Sequence, residues 1–267
     1  MNMRNVHKPL QFVSLLLVAL FAHTVTMAGE RADVGVVVIH GKWDAPNGRA
    51  SGLANYLSRE GFLVATPEMP WSGTRQYDKG VDGMLSELDK AAEELRVKGA
   101  KKIVLAGHSQ GAAGGLYYAS QRSLNGVVLI AAGGHPQSKV FISHYEKSVS
   151  EAKTLVAQGK SDAKLSFNDL NTGNRSRNMR TSARILLDYF DPEGPFNTFD
   201  NAEKIKPGTA VLVVIPGRET EGLKKMADSI KNKFPGEVKA SQIEVDADHL
   251  GAPDAAKSAI RDWLLAL

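Results

Sequence analysis

The chain has 267 residues, of which 43% are hydrophobic and 23% are charged, and this is the composition of an ordinary globular protein. It contains no cysteine, which excludes disulfide bonds, a cysteine nucleophile, thiolate metal sites and a lipoprotein anchor. The formal net charge is +4, but Arg4 and Lys8 lie in an N-terminal stretch without acids, so the charge of the remainder is too small to predict binding to nucleic acid or membranes.

Residues 1–28 are predicted to be a secretory signal peptide. Arg4 and Lys8 make the start positive, an apolar run broken by one serine occupies residues 12–22, and small residues stand at the −3 and −1 positions of a cut after Ala28. The run is about half of the roughly 20 residues that a transmembrane helix needs, which disfavours the alternative of an uncleaved anchor. We therefore expect a periplasmic or secreted protein without stable membrane insertion after cleavage.

Strand and helix patterns alternate through most of the remaining chain, residues 29–267. Continuous β-branched runs indicate strands that are buried on both faces, and apolar residues at helical spacing indicate amphipathic helices. The predicted strands are 34–39, 62–66, 102–106, 126–132, 209–215 and 241–245. The predicted helices are 48–60, 81–98, 110–121, 223–234 and 255–265. This order predicts one α/β domain with a mostly parallel sheet and helices on both of its faces.

The alternation stops between residues 134 and 206. This stretch is richer in Ser, Asn, Lys and Arg and shows helical patterns around residues 144–157 and 181–189. It is far longer than an ordinary connection between two strands. We interpret it as an inserted helical cap over the edge of the sheet at which the strands end, where ligands bind in such folds.

The strongest motif is Gly107-His108-Ser109-Gln110-Gly111, which directly follows a predicted strand and opens a predicted helix. A nucleophile elbow needs this context, because its serine sits on a sharp and strained strand-to-helix turn. Glycine two places on either side of the serine lets the neighbouring backbone approach closely. A plain glycine-rich turn is the alternative, and the strand–turn–helix context argues against it.

A second motif lies at the other end of the chain, where His249 follows the last predicted strand in the sequence Asp246-Ala247-Asp248-His249. In a parallel sheet this loop opens on the same edge as the loop that carries Ser109, so His249 can reach it. The other histidines after residue 28 are His40, His108, His135 and His144, and none of them follows the last strand. His249 is therefore predicted to be the general base, with a solvated loop histidine as the alternative.

Together, these motifs resemble the α/β-hydrolase superfamily, most of all its small esterase-like or lipase-like members with a Gly-His-Ser-x-Gly elbow. The pattern is strand–His-Gly, strand–elbow–helix, insertion, strand–Pro-Gly and strand–Asp-Ala-Asp-His–helix, and it spans nearly all of the chain after residue 28. The resemblance implies the α/β-hydrolase fold with a Ser-acid-His triad. The strand that leads to His40-Gly41 comes so early that the first two strands of the family are predicted to be missing.

The resemblance also assigns an oxyanion hole and candidate substrate-binding residues. One backbone N–H comes from Gln110, the residue after the nucleophile, and the other from the loop after the first strand, from Lys42 or alternatively Trp43. The side chains of Trp43 and His40 are candidates for substrate binding. Since backbone donors need no imidazole, a packed structural histidine is the favoured alternative for His40, and Trp43 has core packing as its alternative.

The acidic member of the triad departs from the family pattern. Thr220 stands where the family most often has aspartate, and Glu219 is preferred as the acid because it lies nearer the end of the strand. A glutamate replaces aspartate in some members. The alternatives for the acid are Glu221, Asp200, Asp246 and Asp248.

The function implied by the resemblance is cleavage of a carboxylic ester in a small-molecule acyl substrate, through an acyl-enzyme on Ser109. An amidase or peptidase with the same triad, and a non-catalytic binding protein on the same scaffold, remain alternatives. The reaction requires no metal or organic cofactor, and the sequence has no HExxH motif, phosphate-binding loop or dinucleotide fingerprint.

The insertion bears on the substrate. Residues 174–180 contain three arginines, with Arg184 beyond, and this cluster attracts a polar or anionic substrate unless it is only a solvated helix face. The insertion has no long apolar run of the kind expected in a lipase lid, which favours a small soluble ester.

Overall fold

The computed structural model describes residues 31–173 and 175–267. The predicted signal peptide, residues 1–28, lies outside the described residues, and so does the proposed cut. In the part that is described, no helix combines the length and the apolar character needed to cross a bilayer.

Eight strands and nine helices are described. The strands are β1 (Val34–Ile39), β2 (Leu63–Ala65), β3 (Lys102–His108), β4 (Gly126–Ile130), β5 (Lys164–Asn171), β6 (Arg175–Ser182), β7 (Ala210–Pro216) and β8 (Ala240–Val245). The helices are α1 (Ser51–Arg59), α2 (Val81–Val97), α3 (Gln110–Gln121), α4 (Lys139–Ala157), α5 (Ala183–Phe190), α6 (Thr198–Glu203), α7 (Glu221–Lys231), α8 (Ala252–Ala255) and α9 (Lys257–Leu265).

Six of the strands form one sheet in the order β2-β1-β3-β4-β7-β8. Every neighbouring pair in this sheet is parallel, which confirms the predicted α/β class. β2 and β8 form the two edges of this sheet, and β1 is the first strand among the described residues. The lack of the first two family strands stays a prediction. All parallel strands end on the same edge, and the loops that follow β1, β3, β7 and β8 therefore meet there.

Two hydrophobic cores cover the two faces of the sheet, and β1 shows why its sequence is apolar throughout. Because successive side chains of a strand point to opposite faces, Val36 and Val38 pack in the core beneath α1, α8 and α9, whereas Val37 and Ile39 pack in the core beneath α2, α3 and α7. All six residues of β1 are buried. The unbroken β-branched run is thus the signature of a strand with helices on both sides.

The insertion between β4 and β7 is not only helical, and the prediction of a helical cap is corrected in this respect. It holds α4, α5 and α6 as well as an antiparallel hairpin of β5 and β6. The arginine-rich stretch expected to form a helix face is β6. The side chains of Leu165, Phe167 and Asp169 are buried and alternate with exposed ones, the period-two pattern of a strand with one covered face.

Aromatic packing attaches the hairpin to the sheet domain. Phe167 of β5 lies 6.1 Å from Tyr77, which precedes α2, and 5.0 Å from Phe190 of α5 within the same insertion, measured between ring centroids. Thr181 of β6 donates a 2.6 Å hydrogen bond to the carbonyl oxygen of Tyr77. The hairpin therefore packs on the segment between β2 and α2, and Asn171 at the end of β5 donates a 3.2 Å hydrogen bond to the carbonyl oxygen of Lys42 in the loop that follows β1.

Candidate active site

Ser109 occupies the junction between β3 and α3 in a strained backbone conformation. Its φ is 55° and its ψ is −120°, a region that residues other than glycine rarely adopt. The Ser109 N–H donates to the carbonyl oxygen of Ile130 at 2.9 Å, and the N–H of Gly133 donates to the Ser109 carbonyl oxygen at 3.2 Å. These contacts with the end of β4 hold the turn, so the hydroxyl projects from the edge of the sheet.

The two glycines of the elbow are required by close backbone approach. A Cβ on Gly107 would lie 2.1 Å from the carbonyl oxygen of Gly111, and a Cβ on Gly111 would lie 2.6 Å from the carbonyl oxygen of Ile39. No side chain fits at either position without moving backbone. The glycine spacing seen in the sequence therefore has a steric cause in the turn itself.

His249 lies between Ser109 and Glu219. Its Nε2 is 3.0 Å from the Ser109 hydroxyl oxygen, and its Nδ1 is hydrogen-bonded to the Glu219 carboxylate. Because a carboxylate only accepts, Nδ1 carries the proton and Nε2 is left to accept from the serine hydroxyl. The structure thus brings together the three side chains that the sequence analysis proposed as nucleophile, base and acid, from the loops after β3, β8 and β7.

The environment of Glu219 keeps its carboxylate charged. Burial would raise the pKa of Glu219, but the hydrogen bond from His249, the charge of that imidazole and the Thr220 N–H at 2.9 Å together bring the pKa below its ordinary value. Only 5% of the Glu219 side chain and 6% of the His249 side chain are exposed. A negative charge is therefore held beside the imidazole in a partly dehydrated site, where it orients the ring and stabilises its protonated form.

The other carboxylates considered for this role have different partners. Asp246 forms an ion pair with Arg218, and Asp248 accepts a 2.7 Å hydrogen bond from the Gly251 N–H. Glu221 is an exposed residue in the first turn of α7, and Asp200 is an exposed residue in the first turn of α6. Within the described residues, Glu219 alone contacts the His249 ring through a carboxylate.

Replacing Glu219 is expected to slow the ester hydrolysis predicted from the sequence without abolishing it. Glu219→Gln removes the charge but leaves a similar shape, and loss of the triad acid costs less than loss of the nucleophile, so we expect kcat to fall by about 10²- to 10⁴-fold. Glu221→Gln is the matched control, since Glu221 is exposed and has no contact with His249, and its kcat is expected to stay within about twofold of wild type. Equal kcat values for the two variants would remove Glu219 from the triad.

A second buried histidine supports the loop of the first. His108 Nε2 donates to the carbonyl oxygen of His249 at 2.8 Å. Burial lowers the pKa of His108 to about 4, so this ring is neutral at physiological pH. Its Nδ1 has no hydrogen-bond partner among the described residues. His108 is therefore a structural support for the backbone that carries His249.

Two backbone N–H groups are available to bind an oxyanion. The N–H of Trp43 is already committed to the carbonyl oxygen of Trp71 at 2.9 Å. In the part of the chain that is described, the N–H groups of Lys42 and Gln110 make no hydrogen bond to protein. Of the two loop candidates, Lys42 is thus the one with a free donor, and Gln110 supplies a second one at the N-terminus of α3, where the helix dipole favours negative charge.

The side chain of Lys42 enters a buried polar cluster that the sequence analysis did not find. Its ammonium lies 2.7 Å from Asp169, whose carboxylate also accepts from the Trp43 indole N–H at 2.7 Å and the Tyr145 hydroxyl at 2.6 Å. Tyr77 adds a fourth donor at 3.1 Å. Burial lowers the pKa of Lys42, and the Asp169 charge partly offsets this. The cluster connects the loop after β1, which carries the Lys42 N–H, to the hairpin.

The alternation of buried and exposed residues along β5 is the sequence feature that could have indicated this cluster. Asp169 follows Leu165 and Phe167 at intervals of two, so a strand assignment would have placed an acid on the covered face. A buried carboxylate needs a cationic or hydrogen-bonding partner. That reasoning indicates a polar cluster, although it does not identify Lys42.

His40 is not placed to contact a substrate at Ser109, and that part of the prediction is corrected. Only 1% of His40 is exposed, and its ring lines neither of the cavities at Ser109. Nε2 accepts from the Met69 N–H at 3.0 Å, and Nδ1 donates to the Gly41 carbonyl oxygen at 2.8 Å. Both ring nitrogens are therefore used to hold the loop after β1, the structural role given above as its alternative.

Two cavities of opposite character meet at Ser109 and His249. The larger has a volume of about 790 Å³, and its walls come from α4, the hairpin and α7. Its apolar lining side chains are Val140, Phe141, Leu170, Leu223 and Met226. The smaller has a volume of about 140 Å³ and is lined by Trp43 and by charged side chains. Among the described residues, no group of three or more His, Asp or Glu side chains is arranged to hold a metal ion.

The parallel sheet, the strained serine turn after β3 and the histidine after β8 together define the α/β-hydrolase fold. Among solved structures, a monoacylglycerol lipase from Paleococcus ferrophilus is 22% identical with a TM-score of 0.57, and the match covers 87% of this chain and 94% of the lipase. Est1E from Butyrivibrio proteoclasticus, solved with ferulic acid bound, is 14% identical with a TM-score of 0.58, over 89% and 90% of the two chains.

A structure from the work on LipS and LipT, two metagenome-derived lipolytic enzymes, is 18% identical with a TM-score of 0.58, and the match covers 88% of this chain and 92% of that chain. No protein-family model matches the chain, and no curated protein matches it in sequence. At these identities the similarity establishes the fold. The chain has the α/β-hydrolase fold, and the resemblance derived from its motifs is confirmed at that level.

Proposed function

We propose that this protein is a serine hydrolase that cleaves carboxylic esters through an acyl-enzyme on Ser109. The observation that carries the proposal is the chain of hydrogen bonds from Ser109 through His249 to Glu219. A serine hydroxyl is a weak nucleophile by itself, and a base within hydrogen-bond distance, oriented by a third group, is the arrangement that activates it. Burial of all three groups strengthens their electrostatic interactions.

The proposed mechanism uses only groups of this chain and water. His249 Nε2 takes the proton of the Ser109 hydroxyl as the oxygen attacks the acyl carbonyl, and the N–H groups of Lys42 and Gln110 stabilise the oxyanion. The protonated His249 then gives its proton to the departing alcohol oxygen as the carbon–oxygen bond breaks. His249 then deprotonates a water molecule as the water oxygen attacks the acyl carbon. When the bond between that carbon and the Ser109 oxygen breaks, His249 returns the proton to Ser109 and the carboxylic acid leaves.

The size and apolar lining of the large cavity favour a substrate with an apolar acyl group. Its volume of about 790 Å³ falls within the range of roughly 300–1,000 Å³ found for ligand pockets. The preference for a small soluble ester, inferred from the absence of a long apolar run in the insertion, is therefore replaced by a longer apolar acyl chain. The apolar wall is formed by separate residues of α4, the hairpin and α7. It therefore does not correspond to a continuous apolar segment of the sequence.

The proposal is tested by a fluorophosphonate probe together with parallel substrate assays. We expect the probe to attach to Ser109, as located by mass spectrometry of the labelled peptide. We also expect para-nitrophenyl esters to be hydrolysed faster as the acyl chain is lengthened from acetate to octanoate, and aminoacyl arylamides to react more slowly. Faster cleavage of the arylamides would favour an amidase, and absence of both labelling and turnover would favour a binding protein.

We also propose that the protein is exported, on the strength of the signal-peptide pattern in residues 1–28. The mature N-terminus is expected at Gly29, and N-terminal sequencing of periplasmic or secreted material checks this. A chain with residue Met1 intact in that fraction would contradict cleavage. Ala28→Asp, which places a charge at the −1 position, is expected to leave the precursor uncleaved.

A further inference from the structure

The smaller cavity beside Ser109 carries an excess of positive charge. Three arginines line it, Arg49, Arg175 and Arg177, against the single carboxylate of Asp44. Within the described residues, none of these exposed arginines forms an ion pair with a carboxylate. An unpaired cluster of guanidinium groups around a small cavity favours an anion as its occupant.

Arg177 is held in place over this cavity. Its guanidinium carbon lies 4.9 Å from the centroid of the Trp43 ring, and the Trp43 indole N–H is itself fixed by a 2.7 Å hydrogen bond to Asp169. In the β-ladder Arg177 is the backbone register partner of Asp169, so its side chain projects from the same face of the hairpin as that of Asp169. Stacking restrains the guanidinium while leaving its N–H groups free for an anion.

The remaining polar groups of the cavity leave this charge largely uncompensated. One carboxylate oxygen of Asp44 accepts a 3.0 Å hydrogen bond from the backbone N–H of Arg49, which commits it to the turn after β1. Arg175 donates from Nε to the Thr172 carbonyl oxygen at 3.1 Å, and its terminal N–H groups have no protein acceptor among the described residues. The ammonium of Lys42 points away, to Asp169.

We propose, building on the ester hydrolysis proposed above, that the natural substrate carries an anionic group close to the scissile bond. Arg49, Arg175 and Arg177 bind this group, a carboxylate or a phosphate, while the apolar portion of the substrate occupies the large cavity. Both cavities include Ser109 and His249 in their walls, so a bond attacked by Ser109 has an apolar part on one side and an arginine-lined space on the other. The volume of about 140 Å³ limits the anionic portion to a small group.

Matched ester pairs test the proposal. On the leaving-group side, para-carboxyphenyl and para-phosphonophenyl octanoate are compared with neutral para-carbamoylphenyl octanoate, each rate being divided by its hydroxide-catalysed rate. On the acyl side, para-nitrophenyl hemisuccinate is compared with para-nitrophenyl butyrate; no preference for the anion is expected there, because the acyl chain is proposed to occupy the large cavity, and a preference for the hemisuccinate would overturn this arrangement. We expect kcat/KM to favour the anionic leaving groups over the neutral one by about tenfold or more, because the anion accepts charge-assisted hydrogen bonds from the arginines. The ratio of kcat/KM for the carboxylate ester to that for the phosphonate ester identifies which type of anion is preferred.

Single substitutions assign the preference to the arginines. Arg49→Gln, Arg175→Gln and Arg177→Gln are each expected to lower the anionic-to-neutral ratio of kcat/KM by about threefold to tenfold, chiefly through KM, and 0.5 M salt is expected to lower it similarly. Arg180→Gln is the matched control: Arg180 is an exposed arginine of the same strand that does not line the cavity, and the ratio is expected to remain unchanged.

The outcomes separate this inference from the proposed function. Hydrolysis of neutral esters without any anionic preference, or with a preference that the three variants leave intact, overturns the anion site and leaves the hydrolase standing. If no ester is cleaved, the hydrolase proposal fails first. Calorimetric binding of para-carboxyphenyl octanoate to the Ser109→Ala protein, with and without Arg177→Gln, then decides the anion site: affinity unaffected by Arg177→Gln overturns it.

Discussion

Ser109→Ala is expected to abolish covalent labelling by a fluorophosphonate and to lower kcat for ester hydrolysis by about 10⁴-fold or more. The substitution removes one oxygen atom, the atom that lies 3.0 Å from His249 Nε2. Without it no acyl-enzyme forms, and the rate that remains comes from the oxyanion donors and the shape of the site acting on water. Hydrolysis of para-nitrophenyl octanoate and intact-mass spectrometry measure the two effects.

The fold is expected to survive this change, so the loss can be attributed to chemistry. Ser109 already has a φ of 55°, and alanine meets the same steric restriction there as serine does. The circular dichroism spectrum and the melting temperature should therefore stay close to wild type. Ser229→Ala, at an exposed helix position, is the matched control and should retain full kcat. Normal turnover in a folded Ser109→Ala protein would defeat the whole assignment of the site.

Asp169→Asn is expected to destabilise the protein by about 3–5 kcal/mol, because it leaves the buried ammonium of Lys42 without its counter-charge. Asp169 is fully buried and accepts hydrogen bonds from four side chains. An amide can accept through only one of its two ends, so at least one donor also loses its acceptor. Urea unfolding followed by tryptophan fluorescence measures the change in the free energy of unfolding.

Two further variants show whether the buried charge is the cause. Asp33→Asn breaks the ion pair with Lys101, in which 36% and 73% of the side chains are exposed, and should cost less than about 1 kcal/mol. In the double variant Lys42→Met/Asp169→Asn both charges are absent while the amide oxygen can still accept hydrogen bonds, so part of the stability lost in Asp169→Asn should return. A loss in Asp169→Asn no greater than that in Asp33→Asn would show that the buried pair does not carry the predicted energy.

The same cluster connects stability with function, since Lys42 contributes its side chain to the cluster and its backbone N–H to the proposed oxyanion hole. Asp169 contacts both Lys42 and Trp43 through their side chains. The loop after β1 is thereby fixed from the hairpin side, and the backbone donor does not need to reorganise during the reaction. The insertion accordingly has a structural role in holding the site as well as a role in lining it.

The parts of the fold that rest on local patterns could be predicted from the sequence. The β-branched run of β1 and the elbow around Ser109 depend on neighbours within a few residues, and both are identifiable without coordinates. The proximity of His249 to Ser109 followed from the rule that the strands of a parallel sheet end on one edge. Glycine at positions 107 and 111 is likewise a local requirement, because the elbow brings backbone against backbone.

Only the tertiary structure decided which distant residues meet. The sequence leaves several carboxylates near the ends of strands, and the contact of Glu219 with His249 depends on how the loops after β7 and β8 are placed in space. In β5 and β6 the many polar residues obscure the two-residue alternation that would predict strands. The ion-pair partner of Asp169 lies 127 residues away in the sequence, at Lys42. The two cavities are bounded by residues from separate elements for the same reason. Periodicity and turn chemistry are local properties of the chain, whereas ion-pair partners and cavity walls arise from packing between segments that the sequence does not place side by side.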